Sequence, residues 1–364
     1  MTGYDFAVVG AGIAGASLAA ELAAHASVLL LEAEHAPGYH ATGRSAAFWE
    51  ECYGGPEIVP LTLASGPYLR AHGFLARRGA LYIARDSDRS LLDGFENRFG
   101  GTGASFRRLD RDALAAMVPG LKPAWTGAIW EPGCADIDVA GLHQHYLAMG
   151  RERGVVLTTR ASVASLSRRA QQWHIECKGG RAFAARAVVN AAGAWADHVA
   201  GLAGFDPLGI QPLRRTVVQL RTDPPPSADL PLVLDIAGRF YFKPEGGRLW
   251  LSPHDEAPSE PCDAAPEELA VAEAIDRLER VVDWRVEAVE RRWAGLRSFA
   301  PDRLPVYGRD PRCNQFAWFA GQGGYGIQTA PAAARLTAQL LLGLPRDEMT
   351  EALEAGRYAP DRLI

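Results

Sequence analysis

At 364 residues the chain exceeds what one hydrophobic core normally organises, so two to three domains are expected. Hydrophobic residues at 48% and charged residues at 22% exclude a disordered or fibrous chain. A net charge of −5 argues against nucleic acid as the main partner. No apolar run reaches the ~18–20 residues of a membrane helix, and the five scattered cysteines, with no Cys-x-x-Cys pair, fit neither a disulfide framework nor a thiolate zinc site.

The apolar stretch 6–20 has the small residues of a signal-peptide core. Yet no Lys or Arg precedes it and Asp5 opens it, so the chain is read as cytoplasmic, with peripheral attachment to the inner membrane left open. Residues 4–9 read as a buried strand ended by glycine, 13–24 as an alanine-rich helix, and 27–31 as a second buried strand closing on Glu32. That strand–helix–strand unit of about 30 residues has the length of a parallel crossover. Further along, 80–84 reads as a strand and 110–117 as a helix stopped by Pro119-Gly120. Asp138 caps a helix running through Arg151. Residues 155–159, 161–165 and 173–177 read as a three-stranded meander, and 187–190 as another buried strand. Residues 223–227 and 252–266 read as proline-rich loops, the second leading into a helix with Val271, Ile275, Leu278 and Val282 on one side.

Gly10-Ala11-Gly12-Ile13-Ala14-Gly15 matches G-x-G-x-x-G between the first strand and its helix. Gly10 makes the tight turn, Gly12 admits a pyrophosphate to the backbone, and Gly15 permits close helix–strand packing. The free N–H groups and positive helix end bind phosphate, and Glu32 accepts from ribose hydroxyls, which disfavours NADP. This fingerprint alone does not separate FAD from NAD. Four more segments behave as FAD contacts: HATGRSAA at 40–47, VVNAAGAW at 188–195, GLRSFAPD at 295–302 and FAGQGGYGIQ at 319–328. The last precedes a helix whose N-terminus would stabilise negative charge on a reduced flavin.

Taken together, GAGIAGAS, PGYHATGRSAA, ADID, VVNAAGAWAD, GLAG, FYFKP, WAGLRSF and GQGGYGIQT resemble the FAD-dependent amine and D-amino acid oxidoreductase family, nearest to its bacterial D-arginine dehydrogenases. The likeness covers nearly the whole chain. It implies an α/β (overall α+β) fold: a Rossmann-like FAD-binding domain of glutathione-reductase type, with an inserted antiparallel-sheet substrate domain. The expected FAD-binding unit is discontinuous, at 1–50, 137–205 and 290–364; 51–136 and 206–289 form the substrate unit. The FAD is non-covalent, since no cysteine stands where related enzymes tether it. Besides the fingerprint, the expected FAD contacts are Ala33, Thr42, Gly43, Arg44, Ser45, Ala46, Val163, Ala192, Gly193, Trp195, Gly324, Tyr325, Gly326, Ile327 and Gln328.

For substrate, the resemblance implies that Arg297 grips a carboxylate bidentately. Arg214, Tyr241 and Tyr53 assist it, and the Gly324 carbonyl accepts from the amine. Arg215 is read as a surface cation. The expected reaction is hydride transfer from the Cα of a D-amino acid to flavin N5, giving an imino acid that hydrolyses to a 2-oxo acid and ammonia. The small-molecule substrate is not strictly D-arginine, because 79–83 offers no acid to meet a guanidinium. Glu50 supplies that charge if it points inward; otherwise Phe48, Trp49 and Leu81 favour an apolar side chain. Two alternatives stand: a 2-hydroxy acid dehydrogenase with His254 or His40 as base, and a non-catalytic FAD-binding protein. The electron acceptor (a quinone, another carrier or oxygen) is left open. His143 and His145 lie on different helix faces and suggest no metal site.

Overall fold

A computed structural model describes residues 3–169 and 171–364; the first two residues of the expected FAD-binding unit lie outside the described residues. The strand Gly3–Val9 is flanked by two parallel neighbours, Val28–Leu31 and Ala182–Asn190. The parallel series continues outward to Val156–Thr158 on one side and to Cys313–Ala320 on the other. Both faces of this eight-stranded sheet are covered, which explains the unbroken apolar runs. The helices Ile13–Leu22 and Gly326–Leu342 pack on one face over Phe6, Val8 and Phe319. Trp173, Val188, Val199 and Trp318 fill the other. Ile13–Leu22 is buried almost all round, as a helix rich in alanine must be when it lies between a sheet and two further helices.

The second, nine-stranded sheet is built on a long antiparallel pair, Gln211–Asp223 with Arg285–Phe299. It continues through Arg248–Ser252, Tyr241–Glu245, Leu232–Asp235, Ala80–Arg85, Trp125–Glu131 and Arg107–Leu109, antiparallel except where Leu232–Asp235 meets Ala80–Arg85. Alternation along each strand sorts its side chains. Val218, Val233 and Phe242 face a core closed by the helices Arg111–Met117 and Glu268–Glu279. Their neighbours Val217, Leu234 and Tyr241 face the opposite way, towards the first sheet's glycine-rich loops. A small sheet of Phe48–Trp49, Ala135–Ile137 and Leu75–Arg77 accompanies the two large ones.

Three expectations change. The meander is Val163–Arg169, Gln172–Cys177 and Ala182–Asn190, while Val156–Thr158 is a parallel edge strand; short apolar runs do not disclose their partners. The expected boundary at 289/290 falls inside Arg285–Phe299, which stays in the second sheet to its last residue. Within 51–136, the helix Val59–Ala71 packs on Gly326–Leu342 of the first body, with Ser65 Oγ accepting from the Ala332 N–H at 3.1 Å. No helix among the described residues is long and apolar enough to cross a membrane.

Candidate functional site

The turn between Gly3–Val9 and Ile13–Leu22 forms an anion cradle. Gly10 has φ of +102°, and a Cβ there would lie 2.5 Å from the Ala191 carbonyl oxygen. A Cβ at Gly15 would lie 1.7 Å from the Gly10 carbonyl oxygen, so Gly15 sets helix–turn packing. Glu32 is held at its strand end by the N–H groups of Ala11 and Glu34, each at 2.9 Å, and Thr42 Oγ1 accepts from Ile13 N–H at 3.0 Å. No acid occupies the first turn of the helix, whose positive end is left for a ligand. These groups border a cavity of about 400 Å³ lined also by Ala14, Ala33, Arg44, Val163, Ala192, Gly193 and Trp195. Arg44 is tied to Asp263 and to the carbonyls of Ala264 and Ala294.

Ile13, Thr42, Gly295, Gln322 and Gly323 line both this cavity and a smaller one of about 140 Å³, making the two continuous. The smaller chamber lies between the second sheet and two segments: Ser45 and Ala46 with Phe48 at the start of its strand, and Gly324 with Gly326, Ile327 and Gln328 in the first turn of the helix Gly326–Leu342. From the sheet, Arg215, Arg297, Tyr241, Val217 and Leu234 face it, joined by His254 from the loop after Arg248–Ser252. Arg297 Nη1 donates to Tyr53 Oη at 3.1 Å and Nη2 to Glu256 Oε1 at 2.8 Å. Arg215 Nε donates to the Asp255 carbonyl at 2.9 Å, while its buried Nη2 has no hydrogen-bond partner among the described residues. Buried Arg297 Nε is likewise without one. Burial opposes the Arg297 charge, but Tyr53 and Glu256 outweigh it and hold its pKa above the ordinary guanidinium value. Burial and the Arg297 charge pull Arg215 the other way. Two desolvated guanidinia with spare donors, facing one small cavity, make a site for a carboxylate.

The model of the DAO family, FAD dependent oxidoreductase, matches residues 5–340. The chain belongs to this family. Curated relatives include the tRNA 5-methylaminomethyl-2-thiouridine biosynthesis bifunctional protein MnmC of Burkholderia orbicola, 28% identical over 96% of this chain and 60% of that one. The bifunctional protein ThiO/ThiG of Synechocystis sp. is 25% identical over 98% and 54%. The chain thus spans little more than half the length of these relatives. Among solved structures, glycine oxidase from Geobacillus kaustophilus superposes with a TM-score of 0.86 at 24% identity over 100% of both chains. L-proline dehydrogenase from P. horikoshii gives 0.85 at 21% over 99% and 97%. None of these four is a D-arginine dehydrogenase; that finer likeness rests on the motifs alone.

As a DAO-family oxidoreductase the protein uses FAD, and its residues fit that group: the Gly10–Gly12 turn would take the pyrophosphate and Glu32 a ribose, while Gln322 and Gly323 stand where the two cavities join. Gly43 and Tyr325 do not line either cavity. A Cβ at Gly43 would lie 2.6 Å from the Gly38 carbonyl oxygen, and Tyr325 packs on Phe299 with its hydroxyl donating to the Arg303 carbonyl. Among the expected substrate residues, Arg297, Tyr241, Tyr53 and Gly324 converge, and a Cβ at Gly324 would touch both Tyr53 Oη and Arg297 Nη1.

Arg214 does not join them. Its guanidinium pairs with Glu267 at 2.6 Å, outside the chamber, and the neighbour read as a surface cation, Arg215, takes the place. Strand register decides this: Arg297 pairs opposite Leu213, so Leu213, Arg215 and Val217 share its face and Arg214 does not. Glu50 does not line the chamber either. It is fully buried beside Glu131, and burial first, then the Glu131 charge, keeps its carboxyl protonated well above the usual range. Trp49 and Leu81 are core residues; Phe48 alone of that trio reaches the cavity. Alternation along 211–223 was the signal for Arg215, but it names no face until the partner strand is known.

Proposed function

We propose that the protein oxidises the Cα–N bond of an amino acid, a D-amino acid with an uncharged side chain in the first instance. The observation that carries this reading is the pair Arg215–Arg297, buried, facing one cavity, with donors in excess of their protein partners. Those donors hold the carboxylate, aided by the hydroxyls of Tyr53 and Tyr241. The Gly324 carbonyl accepts from the amine, which reacts as its neutral form; that requirement needs no side-chain base. Bound FAD supplies the hydride-accepting centre. Phe48, Val217 and Leu234 exclude water and leave no acid for a cationic side chain.

A 2-hydroxy acid is a poorer fit, because an alcohol demands a base matched to its task. Burial, with Arg215 and Arg297 next, pushes His254 down to about 3, too weak a base for a hydroxyl. His40 lines the larger cavity instead, against Glu34 at 3.0 Å. The test is an anaerobic panel of D- and L-amino acids and 2-hydroxy acids, read by flavin bleaching. Neutral D-amino acids are expected to bleach it fastest; bleaching by 2-hydroxy acids alone, or by nothing in the panel, overturns the reading.

A further inference from the structure

His254 lines the small chamber beside Val217, Leu234 and Tyr241, and its geometry is fixed at three points. Its φ is +58°, a conformation uncommon outside glycine and a marker of a locally imposed position. Its backbone N–H donates to Ser252 Oγ at 3.1 Å, and its ring Nδ1 lies 2.7 Å from the Gly238 carbonyl oxygen. The ring meets the edge of Tyr241 at 5.8 Å, nearly perpendicular. A carbonyl oxygen can only accept, so Nδ1 carries a hydrogen; in the neutral ring Nε2 is then a lone-pair acceptor. Burial and the two guanidinia keep the ring neutral. Among the described residues Nε2 has no hydrogen-bond partner, and His254 lines the cavity beside Val217, Leu234 and Tyr241.

We propose that His254 determines side-chain specificity: its Nε2 accepts a hydrogen bond from a hydroxyl or N–H on the substrate's side chain. The preferred substrate is therefore a neutral amino acid carrying such a donor. This rests on the amino-acid reading above and deepens it. With the chamber filled by substrate, an analogue lacking the donor leaves this acceptor unpaired, which costs more than a missing apolar contact.

The test compares matched pairs that differ in one donor: serine with 2-aminobutyrate, threonine with valine, tyrosine with phenylalanine. Each is used in whichever enantiomer reduces the flavin. In the native holoenzyme kcat/KM should favour the donor-bearing member of at least one pair about ten-fold. In His254→Leu the ratio should fall to near one, the loss in kcat/KM falling mainly on the donor-bearing member. Should Leu at positive φ prevent folding, His254→Gly accepts that backbone without strain and removes the same acceptor. Amino acids that reduce the flavin with ratios near one, or ratios unaltered in the variants, overturn the inference and leave the amino-acid reading standing. If no amino acid reduces the flavin, that reading fails and the inference falls with it.

Discussion

Arg215 and Arg297 are diagonal neighbours on one face of an antiparallel pair, and both reach the same oxygen, Glu256 Oε1, at 3.6 and 2.8 Å. One carboxylate of the protein is thus already paired with both guanidinia, although Glu256 does not itself line the chamber. The two arginines act as one anchor, and their single removals should not be additive.

Arg215→Ala should lower kcat/KM for the amino-acid substrate by roughly 10²-fold or more, since it truncates one partner of a buried charged contact. Arg214→Ala should change it less than three-fold or so, because an ion pair with exposed Glu267 is worth little. Steady-state kinetics on the two variants side by side check this; equal losses would return the anchor to Arg214.

Glu256→Gln should lower KM a few-fold with kcat unaltered. Burial opposes ionisation of Glu256, but Arg297 and Arg303 prevail and keep its pKa low, so at neutral pH it competes as an anion for Arg297. A modest gain is expected because the side chain is part exposed and the pair is screened. A raised KM would mean that Glu256 orients the arginines rather than competing for them.

Gly12→Val should give colourless protein. A Cβ at Gly12 already meets Thr42 Oγ1 at 3.1 Å, and two further methyl groups would stand where phosphate oxygens must approach. The ratio of flavin to protein absorbance after purification measures it, with circular dichroism to confirm that the fold persists.

The carboxyl pair Glu50–Glu131 predicts a pH dependence of stability. Burial raises Glu131 to about 8 and Glu50 well above its ordinary 4.5. The folded state therefore binds protons that the unfolded state releases above about 4.5, so stability is fully present below that pH and declines as pH rises towards 8. Glu50→Gln keeps the shape and removes the ionisation, and it should flatten the fall in Tm between pH 5 and 8. Thermal unfolding across that range checks it; an unchanged slope would assign the dependence elsewhere.

The dinucleotide half of the molecule was legible because its constraints are local. Gly10, Gly12, Gly15 and Glu32 lie within one strand–helix–strand unit, and each answers a requirement set by its immediate neighbours. The substrate half was legible only as motifs. Whether Arg214 or Arg215 faces the cavity depends on pairing with a strand more than seventy residues away, and a shift of one residue reverses every side chain. Glu50 illustrates the same limit: its charge and its position next to Phe48 were visible, but its burial against Glu131 came from a strand eighty residues downstream. His254 was singled out as a base, and only its tether to Gly238 shows which nitrogen is free.

The strand Arg285–Phe299 carries Arg297 two residues before it leaves the second sheet, and the next residue, Ala300, already belongs to the core of the first body. The anchor is therefore mounted at a fixed joint instead of on a swinging part. On the proposed reading, changes at Leu234 or in the 253–256 loop would re-tailor which molecule is accepted, while the bond to be broken would keep its bearing on the coenzyme.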